Sequence, residues 1–386
     1  MRSAIILAAG KGTRMKSALN KVMHPVSNKP MIGHIVCSLR KAGVDNIVVV
    51  VGHGAESVRE YLGDSVRYAV QEPQLGTGHA VMQAQCLADL DGDTLILNGD
   101  GPCIQSETID RVFAANADSE MTVLTAVLPD GERYGRIIRN AEGYVERIVE
   151  AKDCTPQELA VTEINTGIFC FKNRLLFAHL KEIRNDNAQQ EYYLTDLVAI
   201  FNQCGLRVNA LVADDPQETM GVNDRIDLAK AQKWMTRHEC ERHMRNGVTI
   251  IDPETVYIDV GVKIGADTVI YPNVIIQGDT VIGERVTILS NSFLRNAVIA
   301  DEVCIDSSKI VESSVGARTT IGPMSHLRNH TEIAEDCRIG NFVEFKNSHF
   351  GKGSKCAHVS YVGDADVGGG GNCGGGLVTV NYDGKN

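Results

Sequence analysis

Three groups of residues carry types and spacings that could do chemistry. The first is LAAGKGTRM, Leu7 to Met15, which directly follows an apolar run. The small side chains of Ala8, Ala9 and Gly10 let backbone N–H groups approach an anion, and Lys11 and Arg14 bring the charge to neutralise a phosphate. The pattern is not G-x-G-x-x-G, because Gly10 and Gly12 lack a third glycine, and it is not the P-loop G-x-x-x-x-G-K-[ST]. A plain tight turn is the competing reading, but a turn has no use for Arg14. The second group is Gly99-Asp100, a carboxylate at the end of TLILNGD. The third is Arg328, Lys346 and His358, two cations and an imidazole whose relation depends on the period of the sequence around them.

The first two groups need strands to hold them. Up to Arg225, strand-like apolar runs alternate with helical patterns: AIILAA, a helix near Met31 to Ala42, NIVVVVG, a helix near Gly54 to Leu62, then TLILNGD. Unbroken apolar strands between amphipathic helices predict a mainly parallel sheet buried on both faces, a three-layer, Rossmann-like α/β domain. Ligands of such sheets gather outside the carboxyl ends of the strands, where the loop Gly10 to Arg14 and Gly99-Asp100 both fall. Residues 226–246 read as a charged linker helix around the only tryptophan, Trp234, with a peripheral helix of the first domain as the alternative. The domains expected are therefore 1–225, the linker 226–246, and 247–386.

Beyond Gly247 the period changes. Ile258, Ile264, Ile270, Ile276, Ile282, Ile288 and Leu294 recur every six residues, the register slips to Ile299 and Ile305, and it resumes as Val315, Ile321, Leu327, Ile333, Ile339 and Phe345. A six-residue period predicts a left-handed parallel β-helix, each aliphatic residue pointing into a triangular prism. Three repeats close one coil, so residues eighteen apart stack at about the 4.8 Å strand spacing. Arg328 and Lys346 are eighteen apart, and each follows an inward residue. Two cations about 5 Å apart repel by about 3 kcal/mol at an effective dielectric of roughly 20. An anion between them would turn that cost into a site; the alternative is a pair of snorkelling surface cations. His358 lies twelve residues after Lys346, two faces further round the prism. A pocket using all three must span an edge or be shared between chains.

Composition bounds the partners. The 386 residues suffice for two or three domains, and 43% hydrophobic with 23% charged residues is the balance of a folded globular protein. A formal charge of -11 opposes a polyanion, which argues against nucleic acid as the principal partner. No apolar run reaches membrane-spanning length, and MRSAIILAAGKGTR breaks too early for a secretory signal, so a cytoplasmic protein with no membrane partner is expected. The 11 cysteines are spread out and never paired as C-x-x-C, which argues for reduced thiols over disulfides or zinc.

The sequence also resembles a known family. LAAGKGTRM with Lys21 in NKVMH, QEPQLGTGHA, Gly99-Asp100, YGRI, IVEAKD, EINTGI, NAQQEYYLTD and GVNDR fall in the order seen in the bacterial bifunctional N-acetylglucosamine-1-phosphate uridyltransferase/glucosamine-1-phosphate acetyltransferases. HLRN, IGNFVEFKNS, GKGSKCAHVSYVGD and NYDG carry the resemblance through the second half. The first motif is common to sugar nucleotidyltransferases; QLGTGHA, EINTG and the six-residue repeat together are specific. The resemblance implies transfer of UMP from UTP to N-acetylglucosamine 1-phosphate with release of pyrophosphate. It also implies acetylation of glucosamine 1-phosphate from acetyl-CoA, both steps serving peptidoglycan and lipopolysaccharide precursors. The sugar phosphate is already anionic at neutral pH, so uridyl transfer needs charge neutralisation and in-line positioning rather than a base.

The residues implied by the resemblance are specific too. Arg14 and Lys21 would face the triphosphate, and Asp100 and Asn223 would hold Mg²⁺. Leu7, Ala8, Ala9, Gly10, Gln71, Gly76, Thr77, Asn98 and Gly99 would contact the nucleotide, and Gly135, Glu150 and Asn165 the sugar. In the second half His358 would be the general base, with Arg328, Lys346, Tyr361, Asn372, Gly375, Asn381 and Tyr382 around the sugar phosphate and acetyl-CoA. The family assembles as a homotrimer with sites between neighbouring prisms.

The sequence also departs from the family. Gly101 and Cys103 replace residues of the usual GDVPL, and Gly363 to Gly376 holds eight glycines. The sequence given stops at Asn386, where relatives continue for several coils, and on that basis it is expected to make UDP-N-acetylglucosamine but to acetylate poorly. Two other readings stay open at this point: another sugar-1-phosphate nucleotidyltransferase with a β-helix, and a trimeric scaffold that senses nucleotide sugars without turnover.

Overall fold

The computed structural model describes residues 1–131, 133–187 and 189–381. The chain divides into two compact units, Met1–Ala231 and Gln232–Asn386.

The first unit is built on a nine-stranded sheet. Its strands are β1 (Arg2–Ala8), β2 (Asn46–Val51), β3 (Arg67–Val70), β4 (Asp93–Asn98), β5 (Met121–Val127), β6 (Arg136–Arg139), β7 (Val145–Val149), β8 (Glu163–Lys172) and β9 (Val208–Val212). The spatial order is β9-β5-β8-β4-β1-β2-β3, with β6 on β8 and β7 on β6. β1 runs parallel to its neighbours β2 and β4, and its side chains alternate between two cores. Ile6, Val49 and Leu95 pack towards Ile32, Ile35 and Val112 on one side. Ile5, Val48 and Ile96 pack towards Val81, Leu176 and Phe201 on the other. That division is why the strands read as unbroken apolar runs. The sheet is mixed, because β8 runs antiparallel between β4 and β5. β8 shifts register between Asn165 and Ile168, where Gly167 takes a φ of 80°. A Cβ on Gly167 would lie 2.7 Å from the Asn98 side-chain nitrogen, so the irregularity also makes room for the end of β4.

A helix, Arg225–Arg245, contains the boundary between the units and is capped at its start by Asp224, whose carboxylate accepts the N–H groups of Ile226 and Asp227. The second unit is a left-handed parallel β-helix of two- and three-residue strands stacked in three columns. Ile258, Ile270, Ile276, Ile288, Leu294, Ile305, Leu327 and Phe345 are fully buried along its axis. The coil length is not constant. Ile276 sits under Leu294, eighteen residues on, but Ile282 pairs with Ile299 and Leu294 with Ile310, seventeen and sixteen residues on. Those shorter coils are the physical cause of the slip in the six-residue period, and Ile310 is the inward residue that the period alone passes over.

Tight corners need left-handed backbone, and Asp267, Asn273, Asn291, Asn329 and Asp336 supply it with short polar side chains that tolerate positive φ. Met324 and Phe342 adopt the same conformation, at φ 59° and 57°, with their side chains 59% and 64% exposed. Among the described residues no helix is long and apolar enough to cross a membrane.

Candidate functional site

The loop after β1 is shaped by two glycine requirements. Gly12 has a φ of 58°, and a Cβ there would lie 2.5 Å from the Cβ of Lys21. Only glycine lets the loop fold this closely onto the segment that carries Lys21. Thr13–Met15 then forms one tight turn with Met15 buried as its anchor, leaving Arg14 exposed. Arg14 Nη2 donates to Asn223 Oδ1 at 2.8 Å. Lys21 Nζ lies 2.5 Å from Asp100 Oδ2 and 3.1 Å from Asn223 Oδ1. Four residues from three distant segments thus meet at one charged centre at the carboxyl ends of β1 and β4.

The opposite side of the same cleft is set by the QLGTGHA segment. Gln71 is buried, and its amide donates to the Gly76 carbonyl at 2.9 Å. Gly76 has a φ of 103°, and a Cβ there would lie 2.6 Å from the Tyr192 carbonyl oxygen. The Gly78 N–H donates to that same carbonyl at 2.7 Å, and Thr77 Oγ1 accepts the N–H of Leu194 at 3.0 Å. The glycines therefore dock this segment onto Glu191–Leu194.

The result is a cavity of about 520 Å³ lined by Leu7, Ala8, Ala9, Gly10, Arg14, Lys21, Gln71, Gly76, Thr77, Asn98, Asp100 and Asn223. Gly99 is not in its wall. Gly135, Glu150 and Asn165 form a separate group: the Asn165 N–H donates to the Gly135 carbonyl at 2.8 Å, and Gly135 faces the Glu150 carboxylate. Gln74 and Glu191 also line the cavity and were missed from sequence. Gln74 holds the loop after β1, its amide donating to Ala9 O at 2.7 Å. Its place inside QEPQLGTG, three residues after Gln71, was the available signal. Cys103 is buried core whose thiol burial pushes well above its ordinary range, so this departure from the family pattern packs the interior and does not face the cleft.

In the second unit Arg328 and Lys346 occupy paired positions on neighbouring strands, and Glu344 pairs with Tyr361. The two cations are not bare. Arg328 Nε donates to Glu344 Oε1 at 2.6 Å, and Lys346 Nζ lies 3.4 Å from Asp364 Oδ2. Asp364 also accepts from the amides of Asn347 and Asn381, and these bonds hold its carboxyl below the usual range. Asn381 reaches Tyr361 Oη at 3.0 Å. His358 pairs in register with Asn341, and Gly375 would place a Cβ 3.5 Å from the His358 Cβ. Asn372 pairs with Lys355. Tyr382 lies outside the described residues. Glu344 and Asp364 were not legible from sequence, because a carboxylate that balances a neighbouring cation looks the same there as any exposed acid.

A mixed sheet with a glycine-lined cationic loop at its carboxyl edge, followed by a parallel β-helix, defines a nucleotidyltransferase with a repeat-built second domain. A family model for nucleotidyl transferases matches residues 3–217, and one for the GMPPB C-terminal domain matches residues 253–348. The chain is 51% identical to the bifunctional protein GlmU of Geobacillus sp. (strain WCH70), over 100% of this chain and 84% of that one. It is 50% identical to GlmU of Brevibacillus brevis, over 99% of this chain and 83% of that one. Against GlmU of Listeria monocytogenes it is 48% identical over 100% of this chain and 85% of that one.

The chain belongs to the bifunctional GlmU family. It is a two-activity transferase, a uridyltransferase that makes UDP-N-acetylglucosamine joined to an acetyltransferase domain. Its substrates are nucleotides and sugar phosphates, and the family uses a divalent metal and acetyl-CoA.

Proposed function

We propose that the cavity in the first unit transfers UMP from UTP to N-acetylglucosamine 1-phosphate, with Arg14 and Lys21 facing the triphosphate and Asp100 and Asn223 holding Mg²⁺. The observation that carries this reading is the meeting of those four side chains: a carboxylate and an amide oxygen already converge on one cation, the Lys21 ammonium. Hard oxygen donors of this kind suit Mg²⁺. When bound, Mg²⁺ supplies charge neutralisation to the triphosphate.

The chain's own residues do the rest. Backbone N–H groups of the Gly10–Arg14 loop cradle phosphate oxygens, and Gln71 and Gly76 orient the base. Arg14 meets charge that grows as pyrophosphate leaves, and Gly135, Glu150 and Asn165 hold the sugar so that its phosphate attacks in line. Pyrophosphate release from UTP and Mg²⁺ with a panel of sugar 1-phosphates tests the reading. N-acetylglucosamine 1-phosphate should be the preferred acceptor; equal turnover of glucose 1-phosphate with another nucleotide would overturn it.

In the second unit Arg328 and Lys346 are proposed to bind the phosphate of glucosamine 1-phosphate, exchanging part of their pairing with Glu344 and Asp364 for the ligand. His358 accepts the amine proton during attack on acetyl-CoA, a step suited to an imidazole. Tyr361, Asn372, Gly375, Asn381 and Tyr382 complete that site. The prisms are proposed to associate as a homotrimer in the cytoplasm. Ile275, Val281 and Val298 support this, because they present exposed apolar side chains on the outer faces. A monomer by light scattering at micromolar concentration would overturn the trimer. The domain limits 1–225, 226–246 and 247–386 are proposed as the units of expression; a soluble, active 1–225 fragment is the expected outcome.

A further inference from the structure

Glu218 is a buried carboxylate that the chemistry above leaves unused. It is 4% exposed, in the turn Pro216–Thr219, five residues ahead of Asn223. Its Oε1 accepts from Thr108 Oγ1 at 2.7 Å, and its Oε2 accepts the backbone N–H of Gln105 at 3.2 Å. Among the described residues no ion pair reaches it. Burial pushes its carboxyl above the ordinary range, so the position is costly for an ionised group.

What it holds explains the cost. Asp100 is the second residue of the loop after β4, and Gln105 ends that loop at the start of the helix Ser106–Ala115. Glu218 begins the segment that ends at Asn223. The two paths join again where the Val222 N–H donates to the Asp100 carbonyl at 2.8 Å. There Gly221 lies against the Asp100 carboxylate, since a Cβ on it would be 3.2 Å from Oδ1. A cavity of about 20 Å³ between these paths is bordered by Asn98, Asp100, Thr166 and Glu218.

We infer that Glu218 is a positioning residue for uridyl transfer: one carboxylate spans the loop carrying Asp100 and the segment carrying Asn223, and so sets the spacing of the two metal-ligating oxygens. The inference rests on the proposed role of Asp100 and Asn223. Groups bonded directly to metal ligands change affinity by about 10- to 100-fold when removed, and Glu218 acts one step further out, through the backbone of both paths, which sets the expectation at the lower end of that range.

Glu218→Ala removes both bonds of the tether, Thr108→Val removes one and leaves the Gln105 N–H on Oε2, and Glu218→Gln keeps an acceptor oxygen. Mn²⁺ binding, followed by electron paramagnetic resonance in the presence of unreactive α,β-methylene-UTP, should weaken about tenfold in Glu218→Ala and by a smaller, still measurable factor in Thr108→Val and Glu218→Gln. Half-saturating Mg²⁺ for uridyl transfer should rise by the same factor, with kcat at saturating Mg²⁺ changed by less than about threefold. Parent-like Mn²⁺ affinity with only a lowered Tm would make Glu218 a structural residue and overturn the inference. If Glu218→Ala does not fold, Thr108→Val decides by the same measurement. Asp100→Asn separates the two levels: if it binds Mn²⁺ as the parent does, the metal assignment itself fails.

Discussion

Asp100 meets Asn223 across most of a domain, whereas Arg328 meets Lys346 one coil away. The first pair exists because a sheet brings two chain-distant loops to one edge, so many elements must agree before the two oxygens converge. The second exists because a prism repeats itself, and neighbouring strands put the same positions over one another. A site of the first kind depends on a few irreplaceable contacts. A site of the second kind is shared along a ladder, in which Glu344, Asp364, Asn347 and Asn381 already distribute the charge.

That contrast can be broken by mutation. The largest effect should come from Asp100→Asn, which is expected to lower uridyl transfer by at least about 100-fold without changing the circular dichroism spectrum. Activity near the parent's at limiting Mg²⁺ would remove Asp100 from the site. Arg14→Ala should also be severe and should act on kcat more than on KM.

Next in size is an acid effect on the first unit. Burial lowers the His34 pKa from 6.5 to about 4, while its Nε2 contacts the Val26 carbonyl at 2.7 Å. Because the folded value lies below the unfolded one, the neutral ring stabilises the fold fully above pH 6.5. That contribution, about 3 kcal/mol, is lost as pH falls from 6.5 towards 4. Chemical unfolding at pH 7 and pH 4.5 should show the loss, and His34→Gln should flatten it. An unchanged pH slope in that variant would reject His34 as its source.

A smaller effect is expected in the ladder. Lys346→Ala should weaken binding of glucosamine 1-phosphate about tenfold by calorimetry, with Arg328 retaining part of the affinity. Complete loss of binding would show that the ladder is as fragile as the cleft. Smallest of all, Arg318→Ala removes an exposed pair with Asp336 and should leave Tm unchanged, since surface ion pairs contribute little.

The two regions also differed in how much their sequences revealed. The six-residue period carried the β-helix and the adjacency of Arg328 and Lys346, because stacking turns sequence distance into spatial distance. It registered the shorter coil at Ile299 as a slip but passed over Ile310, where the coil is shorter still. In the first unit the glycine-lined cationic loop and the strand ends were legible from residue types and their order, while Lys21 and Asn223 needed family resemblance. Nothing local in NKVMH or GVNDR states that the two meet. The antiparallel insertion of β8 and the docking of Gly76 on Tyr192 were likewise hidden, because both depend on partners far along the chain.

The placement of Asn223 has a consequence in time. During synthesis domains form as units from the amino terminus, and the sheet of the first unit has its last strand, β9, by Val212. Asn223 leaves the ribosome after every strand of that sheet, and with it comes the oxygen that completes the charged centre. A nascent chain halted between these two points holds every strand of the sheet but an incomplete charged centre. On the proposed role of Asn223, nucleotide turnover begins only after folding of the sheet can be complete.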